Sequence, residues 1–400
     1  MFTKPFLDAL YIIEKIEAKG FKAYFVGGCV RDLLLEHDMK DIDIATSATP
    51  NQIQNIFDKV IPVGIEHGTV IVRHQKKSYE VTTFRLDGSY SDGRHPDSVQ
   101  FIDRIDEDLA RRDFTMNALA MDKYGNLVDL YGGKEDLKKK LIRSVGDGME
   151  RFTEDPLRII RAIRFASQLG FSIEEKTLLA MGDLKNEIEH LAVERIQHEM
   201  GKFFAGKYVD IGFSYLTSLC LHRHLPLFKE NPYIIDKFPR PIESFLSFGE
   251  VIAVCHLLEP KLTVQEWVKQ WKCSNKIKTE AITLVDIFNH YKKQGLDEWL
   301  VYQLDPIYDE GFLRIVHYLD KNHEINKHEI KCLRNSLPIT SKKDLILNGH
   351  DIIKIFPQEK KGPWIQKLIN KIEKEIVEKR LKNNKNDIKE WIKCNPPEIN

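Results

Sequence analysis

No long hydrophobic run occurs anywhere in this 400-residue chain. The longest uncharged apolar stretch, Ile211 to Leu221, is about half of the roughly 20 residues needed to cross a bilayer, so no membrane helix is expected. Charge also breaks up the N-terminus. Lys4, Asp8, Glu14, Lys15, Glu17 and Lys19 interrupt its apolar positions, which suits an amphipathic helix, excludes a secretory apolar region and makes a cytoplasmic location the expectation. Cysteine is scarce. The six (Cys29, Cys220, Cys255, Cys273, Cys332 and Cys394) lie far apart without a CxxC pair, so neither a zinc site nor a disulfide framework is expected. Net charge is absent too, with 60 Lys plus Arg against 60 Asp plus Glu. The balance hides an asymmetry: from Lys331 to Asn400, 16 basic residues face 9 acidic ones. A basic tail on an acidic remainder is compatible with gripping phosphates at one end, although charge alone favours a solvated Lys-rich helical surface.

What is present suggests several domains in series, because 400 residues exceed what one core usually holds. Short β-branched or aromatic runs bounded by turn residues predict strands at Tyr24 to Val26, Ile42 to Ala45, Thr69 to Arg73, Tyr79 to Phe84 and Leu127 to Leu130. The third and fourth flank the polar turn His74 to Ser78 and predict a hairpin. Helical periodicity fills Asn51 to Phe57 and Arg112 to Ala120, so the first 140 residues make an α+β head. Beyond about residue 141 the pattern is almost entirely helical, as in Pro156 to Leu169, Lys176 to Met181, Asp344 to Phe356 and Trp364 to Leu381, with no convincing strand. Pro226, Pro232, Pro239 and Pro241 mark a loop region.

Two features of the head carry chemistry. Gly27-Gly28 lies between a strand and a helical run, where glycines let the backbone turn sharply and bring N–H groups toward an anion. About a dozen residues on, Asp41-Ile42-Asp43 is an Asp-x-Asp whose carboxylates would share one face of a strand. Side by side they repel unless a cation lies between them, and an oxygen-rich site of this kind suits Mg²⁺ carrying nucleotide phosphates. Glu80, in Tyr79-Glu80-Val81-Thr82-Thr83, is the candidate third acid from a neighbouring strand.

The segments GGCVRD, DIDI, HGTV, YEVTTFR, RRDFTMNALA, DLYGGKEDL, EDPLRIIRAIRFA and VERIQHEM follow one another in an order that resembles the bacterial class II tRNA nucleotidyltransferases, the CCA-adding enzymes. The resemblance is dense over residues 20 to 205. It implies a polymerase-β-like nucleotidyltransferase head with a mixed sheet and helices, followed by an all-α neck, body and tail. The expected limits are 1–140 for the catalytic head, 141–205 for the neck that selects the nucleotide, 206–315 for the body and 316–400 for the tRNA-binding tail. It further implies Mg²⁺ as cofactor, held by Asp41 and Asp43. Gly27, Gly28 and Arg31 would hold the triphosphate, and Arg112, Asp113 and Asn117, ahead of Arg111, would face phosphate or ribose. The implied partners are a tRNA 3′ end, CTP and ATP, with no DNA and no membrane; a homodimer stays open.

In Glu154-Asp155-Pro156-Leu157-Arg158, the chemistry of base selection becomes readable. Both C and A offer an amino donor beside a ring-nitrogen acceptor, whereas U and G offer a carbonyl beside an N–H. An Asp that only accepts and an Arg that only donates therefore match C and A alone. The resemblance assigns that role to Asp155 and Arg158, with Arg161 and Arg164, three residues apart on the same stripe, shaping the pocket. Asp87 to Pro96, rich in Gly and Ser, reads as a mobile loop that CC-adding relatives partly lack. Its presence favours complete CCA addition over CC-only addition, while A-adding relatives keep such a loop and stay as an alternative. A poly(A) polymerase shares the head, but Gly64-Ile65-Glu66-His67-Gly68 stands where a basic segment would be expected. Intact Asp41, Asp43 and Glu80 argue against a non-catalytic RNA-binding module. The 14 histidines form no HD phosphohydrolase set, and His222 and His224 are expected to pack or face solvent.

Overall fold

A computed structural model describes residues 2–39, 41–88, 98–321 and 325–397, and the chain divides into two compact units, Met1–Ser244 and Phe245–Asn400. In the first, α1 (Lys4–Glu17) leads to β1 (Ala23–Val26), α2 (Gly28–Leu34), β2 (Asp43–Thr46), α3 (Pro50–Ile56), β3 (Val60–Gly64), β4 (Thr69–His74) and β5 (Lys77–Thr83). The ribbon β6 (Arg85–Asp87) with β7 (Val99–Phe101) precedes α4 (Ile105–Ala110), β8 (Leu119–Met121), β9 (Leu127–Asp129) and α5 (Gly133–Lys139). Next come β10 (Leu141–Ile142), α6 (Gly148–Glu154), α7 (Leu157–Leu169), β11 (Ser172–Ile173), α8 (Glu175–Leu184), α9 (Val193–Phe204) and α10 (Val209–Ser218).

Seven strands make one mixed sheet in the order β3-β4-β5-β2-β1-β8-β9. Strands β2 and β5 are parallel and the other neighbours antiparallel. Central β2 is covered from both sides, so Ile44, Ala45 and Thr46 are all buried. In β5 burial alternates, with Tyr79, Val81 and Thr83 inward and Glu80 outward, as the two-residue period of a strand requires. The β4–β5 turn is only Gln75-Lys76, at φ 48° and 63°, which is the two-residue geometry that matches strand twist.

Four expectations need correction. Arg112 to Ala120 is not helical: Asp113 accepts the Phe114 N–H at 2.8 Å, a short 3-10 turn spans Thr115–Asn117, and β8 pairs with β1. Sheet pairing overrides local periodicity there. Strand β2 starts at Asp43, so Asp41 precedes the strand instead of lying on it. The all-helical region contains one short parallel pair, β10 with β11. Strands β3, β6 and β7 carried no signal strong enough to be expected. Of the loop Asp87 to Pro96, residues 89–96 lie outside the described residues.

The second unit is helical among its described residues: α11 (Phe248–Leu258), α12 (Val264–Gln270), α13 (Asn275–Gln294), α14 (Glu298–Gln303), α15 (Asp309–Leu319), α16 (Lys327–Asn335), α17 (Gly349–Ile355), α18 (Trp364–Val377) and α19 (Lys385–Cys394). Trp364, Leu368, Ile372 and Ile376, four apart on α18, bury one face against Ile388 and Ile392 of α19. Each fully buried aliphatic side chain stabilises the fold by about 1.5–3 kcal/mol. Lys360, Lys361, Lys367 and Lys371 are exposed. No described helix is long and apolar enough to cross a membrane.

Candidate active site

Strand β1 ends at Val26, and Gly27 takes φ 68° to start α2. The Gly27 N–H donates to the Leu119 carbonyl at 3.1 Å, fixing the turn to β8. A Cβ on Gly27 would lie 2.9 Å from Arg112 Nη1, so glycine is what admits the guanidinium here. The parallel register of β2 and β5 sets Asp43 directly opposite Glu80. Asp41, Asp43, Glu80, Gly27 and Gly28 all line one cavity of about 830 Å³. Burial, followed by the Glu80 charge, pushes the Asp43 carboxyl up to about 6, with Arg112 pulling partly back and Asp41 adding to the rise.

These carboxylates could hold a hard divalent cation. Their oxygens are the right chemistry, and the raised Asp43 marks negative charge that the chain leaves undercompensated. Among the described residues no three His, Cys, Asp or Glu side chains form a ready-made metal cluster.

The other wall is a chain of arginines and acids. Arg31 donates through Nε to Asp32 at 2.8 Å and through Nη1 to Asn117 Oδ1 at 2.7 Å. Asn117 Nδ2 donates to Asp113 Oδ1 at 3.0 Å, and Asp113 Oδ2 takes Arg161 Nε and Nη2 at 2.9 and 2.5 Å. Burial alone would raise Asp113, but Arg161 and Asn117 outweigh it and hold the carboxyl far below its usual range. Asp113 therefore pairs with Arg161 across 48 positions. Arg164 pairs with Glu199 at 2.6 Å and lies 3.7 Å from the Phe165 ring centroid. Burial and the neighbouring Arg161 lower the Arg164 guanidinium to about 10.

Asp155 and Arg158 both line the cavity without bonding each other's side chain. Asp155 Oδ1 accepts the Leu157 N–H at 3.1 Å and Oδ2 accepts Arg195 Nη2 at 2.8 Å. Arg158 donates to Glu154, to the Arg151 carbonyl and to the Arg111 carbonyl at 2.9, 3.1 and 3.0 Å. Every sequence-predicted residue (Gly27, Gly28, Arg31, Asp41, Asp43, Glu80, Arg112, Asp113, Asn117, Asp155, Arg158, Arg161 and Arg164) lines this one cavity. Sequence reasoning missed Phe165 and Lys202, which also line it, and the buried acids Asp108 and Glu199 that pair with its arginines. His222 is buried against the Leu216 carbonyl and His224 pairs with Glu189.

The family model described as "Poly A polymerase head domain" matches residues 23–143, "tRNA nucleotidyltransferase domain 2" matches 251–392, and the "RNA and SrmB- binding site of polymerase A" matches 170–231. The chain is similar to the CCA-adding enzyme of Oceanobacillus iheyensis, with 49% identity over 100% of both chains. It is similar also to that of Anoxybacillus flavithermus, with 39% identity over 98% of each. Among solved structures, the Bacillus stearothermophilus CCA-adding enzyme in complex with CTP matches with a TM-score of 0.87 at 32% identity, over 98% of each chain.

Proposed function

Since the chain belongs to the CCA-adding enzymes, the tRNA nucleotidyltransferases that match its whole length, we propose that its cavity joins C, C and A to a tRNA 3′ end from CTP and ATP, without a nucleic-acid template. The observation that carries this reading is the meeting of three acids, a glycine turn and an arginine-lined helix in one cavity. Full-length similarity to CCA-adding enzymes, together with the tRNA nucleotidyltransferase domain matched at residues 251–392, favours this reading over a poly(A) polymerase.

In the reaction the primer 3′-oxygen bonds to the α-phosphorus of the incoming nucleotide. The bond from that phosphorus to the β-phosphate oxygen breaks, pyrophosphate leaves, and the hydroxyl proton is lost. Asp41 and Asp43 would hold Mg²⁺, which when bound would lower the pKa of the primer hydroxyl and neutralise charge on the triphosphate. Glu80, opposite Asp43, concentrates negative charge at that point. Gly27 and Gly28 give backbone access to phosphate, and Arg31 and Arg112 offer guanidinium donors to it. Asp113 and Asn117 tie Arg31 to Arg161, so the phosphate side and helix α7 share one hydrogen-bonded chain. Asp155 accepts from the amino group of C or A while Arg158 donates to the ring nitrogen; U and G leave both groups mismatched, at about 1–3 kcal/mol per contact. The exposed lysines of α18 and the segment before it contact RNA phosphates.

Incubation of the purified protein with Mg²⁺, each nucleotide, and tRNA lacking CCA, ending in C or ending in CC tests this reading. Sequenced product ends should show C, C and A added in turn. Products stopping at CC, made only from CC, or extended into poly(A) would replace it with partial addition or polyadenylation.

A further inference from the structure

Asp108, in the first turn of α4, is a buried acid that lines no part of the cavity yet reaches two of its arginines. Its Oδ1 accepts Arg111 Nε and Nη2 at 3.1 and 2.6 Å, and its Oδ2 accepts Arg112 Nη2 at 3.2 Å. The Arg85 N–H points to the same Oδ1 at 3.4 Å, and Arg111 Nε also meets the Arg85 carbonyl at 3.2 Å. With its side chain pinned this way, Arg111 turns its own carbonyl to Arg158 Nη2 at 3.0 Å. One carboxylate thus orients Arg112 on the phosphate side and, through the Arg111 backbone, Arg158 on the base side.

We propose that Asp108 is a positioning residue that couples triphosphate binding to base selection by locking the Arg111-Arg112 turn. This rests on the placement of the triphosphate and base in the cavity described above. Burial acts against the Asp108 charge, but the two guanidinium groups outweigh it and keep the carboxyl below its usual range. The acid is therefore ionised at any pH where the enzyme would work.

The test uses the full chain with Asp108→Asn and Asp108→Glu. Asp108→Asn keeps the shape and loses the charge. It should raise KM for CTP by about tenfold and raise U incorporation relative to C severalfold, with KM for tRNA within about twofold. Asp108→Glu, which restores the charge, should recover part of both effects. A purely structural role would lower the amount of active enzyme without moving either KM or the U-to-C ratio. Should Asp108→Asn fail to fold, Arg111→Gln carries the test, since it removes the two-armed partner of the same acid and should shift KM for CTP and the U-to-C ratio in the same direction. Unchanged KM for CTP and unchanged base preference in the folded variant overturn the proposal. Arg112→Ala and Arg158→Ala serve as controls: if they also leave nucleotide affinity and preference intact, the placement of the substrate is wrong, whereas effects there without effects at Asp108 remove the positioning role alone.

Discussion

Asp43→Asn should stabilise the metal-free protein while abolishing nucleotide addition. In the folded chain the Asp43 carboxyl keeps its proton up to about pH 6, whereas in the unfolded chain it loses it near pH ~4. Between those values the native state binds more protons, so stability falls as pH rises through the window and the full deficit remains above it. That gap is worth at most ~3 kcal/mol, and solvent access to a half-buried acid reduces it to about 1–2.5 kcal/mol. Asparagine keeps the shape and removes the charge that burial and Glu80 oppose. For a unit of this size each kcal/mol moves the melting point by about 2–4 °C, which gives a rise of about 2–10 °C. The assay is thermal unfolding followed by circular dichroism in chelator at pH 5 and pH 8, repeated with millimolar Mg²⁺. The variant should melt well above the parent at pH 8 and close to it at pH 5, where the parent is mostly protonated. Mg²⁺ should raise the parent and leave the variant nearly unmoved. A variant melting at or below the parent at pH 8 in chelator, or a gap equal at both pH values, would refute the electrostatic origin of the raised carboxyl.

Asp155→Ala and Arg158→Ala should each cost about ten- to a hundredfold of the preference for C and A over U and G, read by sequencing product ends; equal loss of all four nucleotides would place base selection elsewhere. Asp113→Asn should destabilise the fold, because a depressed carboxyl contributes stability above about pH 4 that disappears on acidification. The parent should therefore lose its advantage over this variant as pH falls below ~4, opposite in sign to Asp43, and an advantage constant from pH 3 to 8 would contradict it. Replacing Lys360, Lys361, Lys367 and Lys371 by Gln should weaken tRNA binding and flatten its log–log salt slope by up to about 3; an unchanged slope assigns those lysines to solvent.

Local chemistry in the head was readable because each motif answers a local demand. A strand-to-helix turn needs glycine, and an Asp-x-Asp beside Glu80 needs a cation, so the spacing itself announces a site. The hairpin was visible for the same reason, with its two runs adjacent in sequence. Asp113 shows where that logic stops. Apolar spacing around it suggests a helix, but the segment is held as a turn and strand by β1 and by Arg161 from 48 positions away. Asp108 looked like one acid among three in the first turn of α4, where acids serve the helix dipole, and nothing near it in sequence shows that it alone is buried between two arginines. The Arg195 contact to Asp155, 40 positions apart, is equally silent in the sequence.

These long-range pairs explain why the arginines of α7 can be buried at all. An isolated guanidinium at that depth would be strongly unfavourable, and removing one partner of a buried pair costs about 3–5 kcal/mol. Here Arg161 is shared by Asp113 and Glu199, and Arg164 pairs with Glu199 while stacking on Phe165. Glu199 comes from α9 and Asp113 from the turn before β8, so three distant segments must be in place before the wall of the cavity is electrically complete. A rigid, pre-paired wall loses little freedom when a nucleotide arrives, and its donors keep their directions whichever base is offered. On the proposed reading, selection by Asp155 and Arg158 would depend on their orientation, because a carboxylate free to rotate could also reach the ring N–H of U or G. The Leu157 N–H and Arg195 occupy one oxygen each of Asp155, restricting that rotation, and three acceptors fix Arg158. If these two side chains read the base as proposed, discrimination would follow from how tightly they are held, and loosening the holders should erode it even when both readers remain.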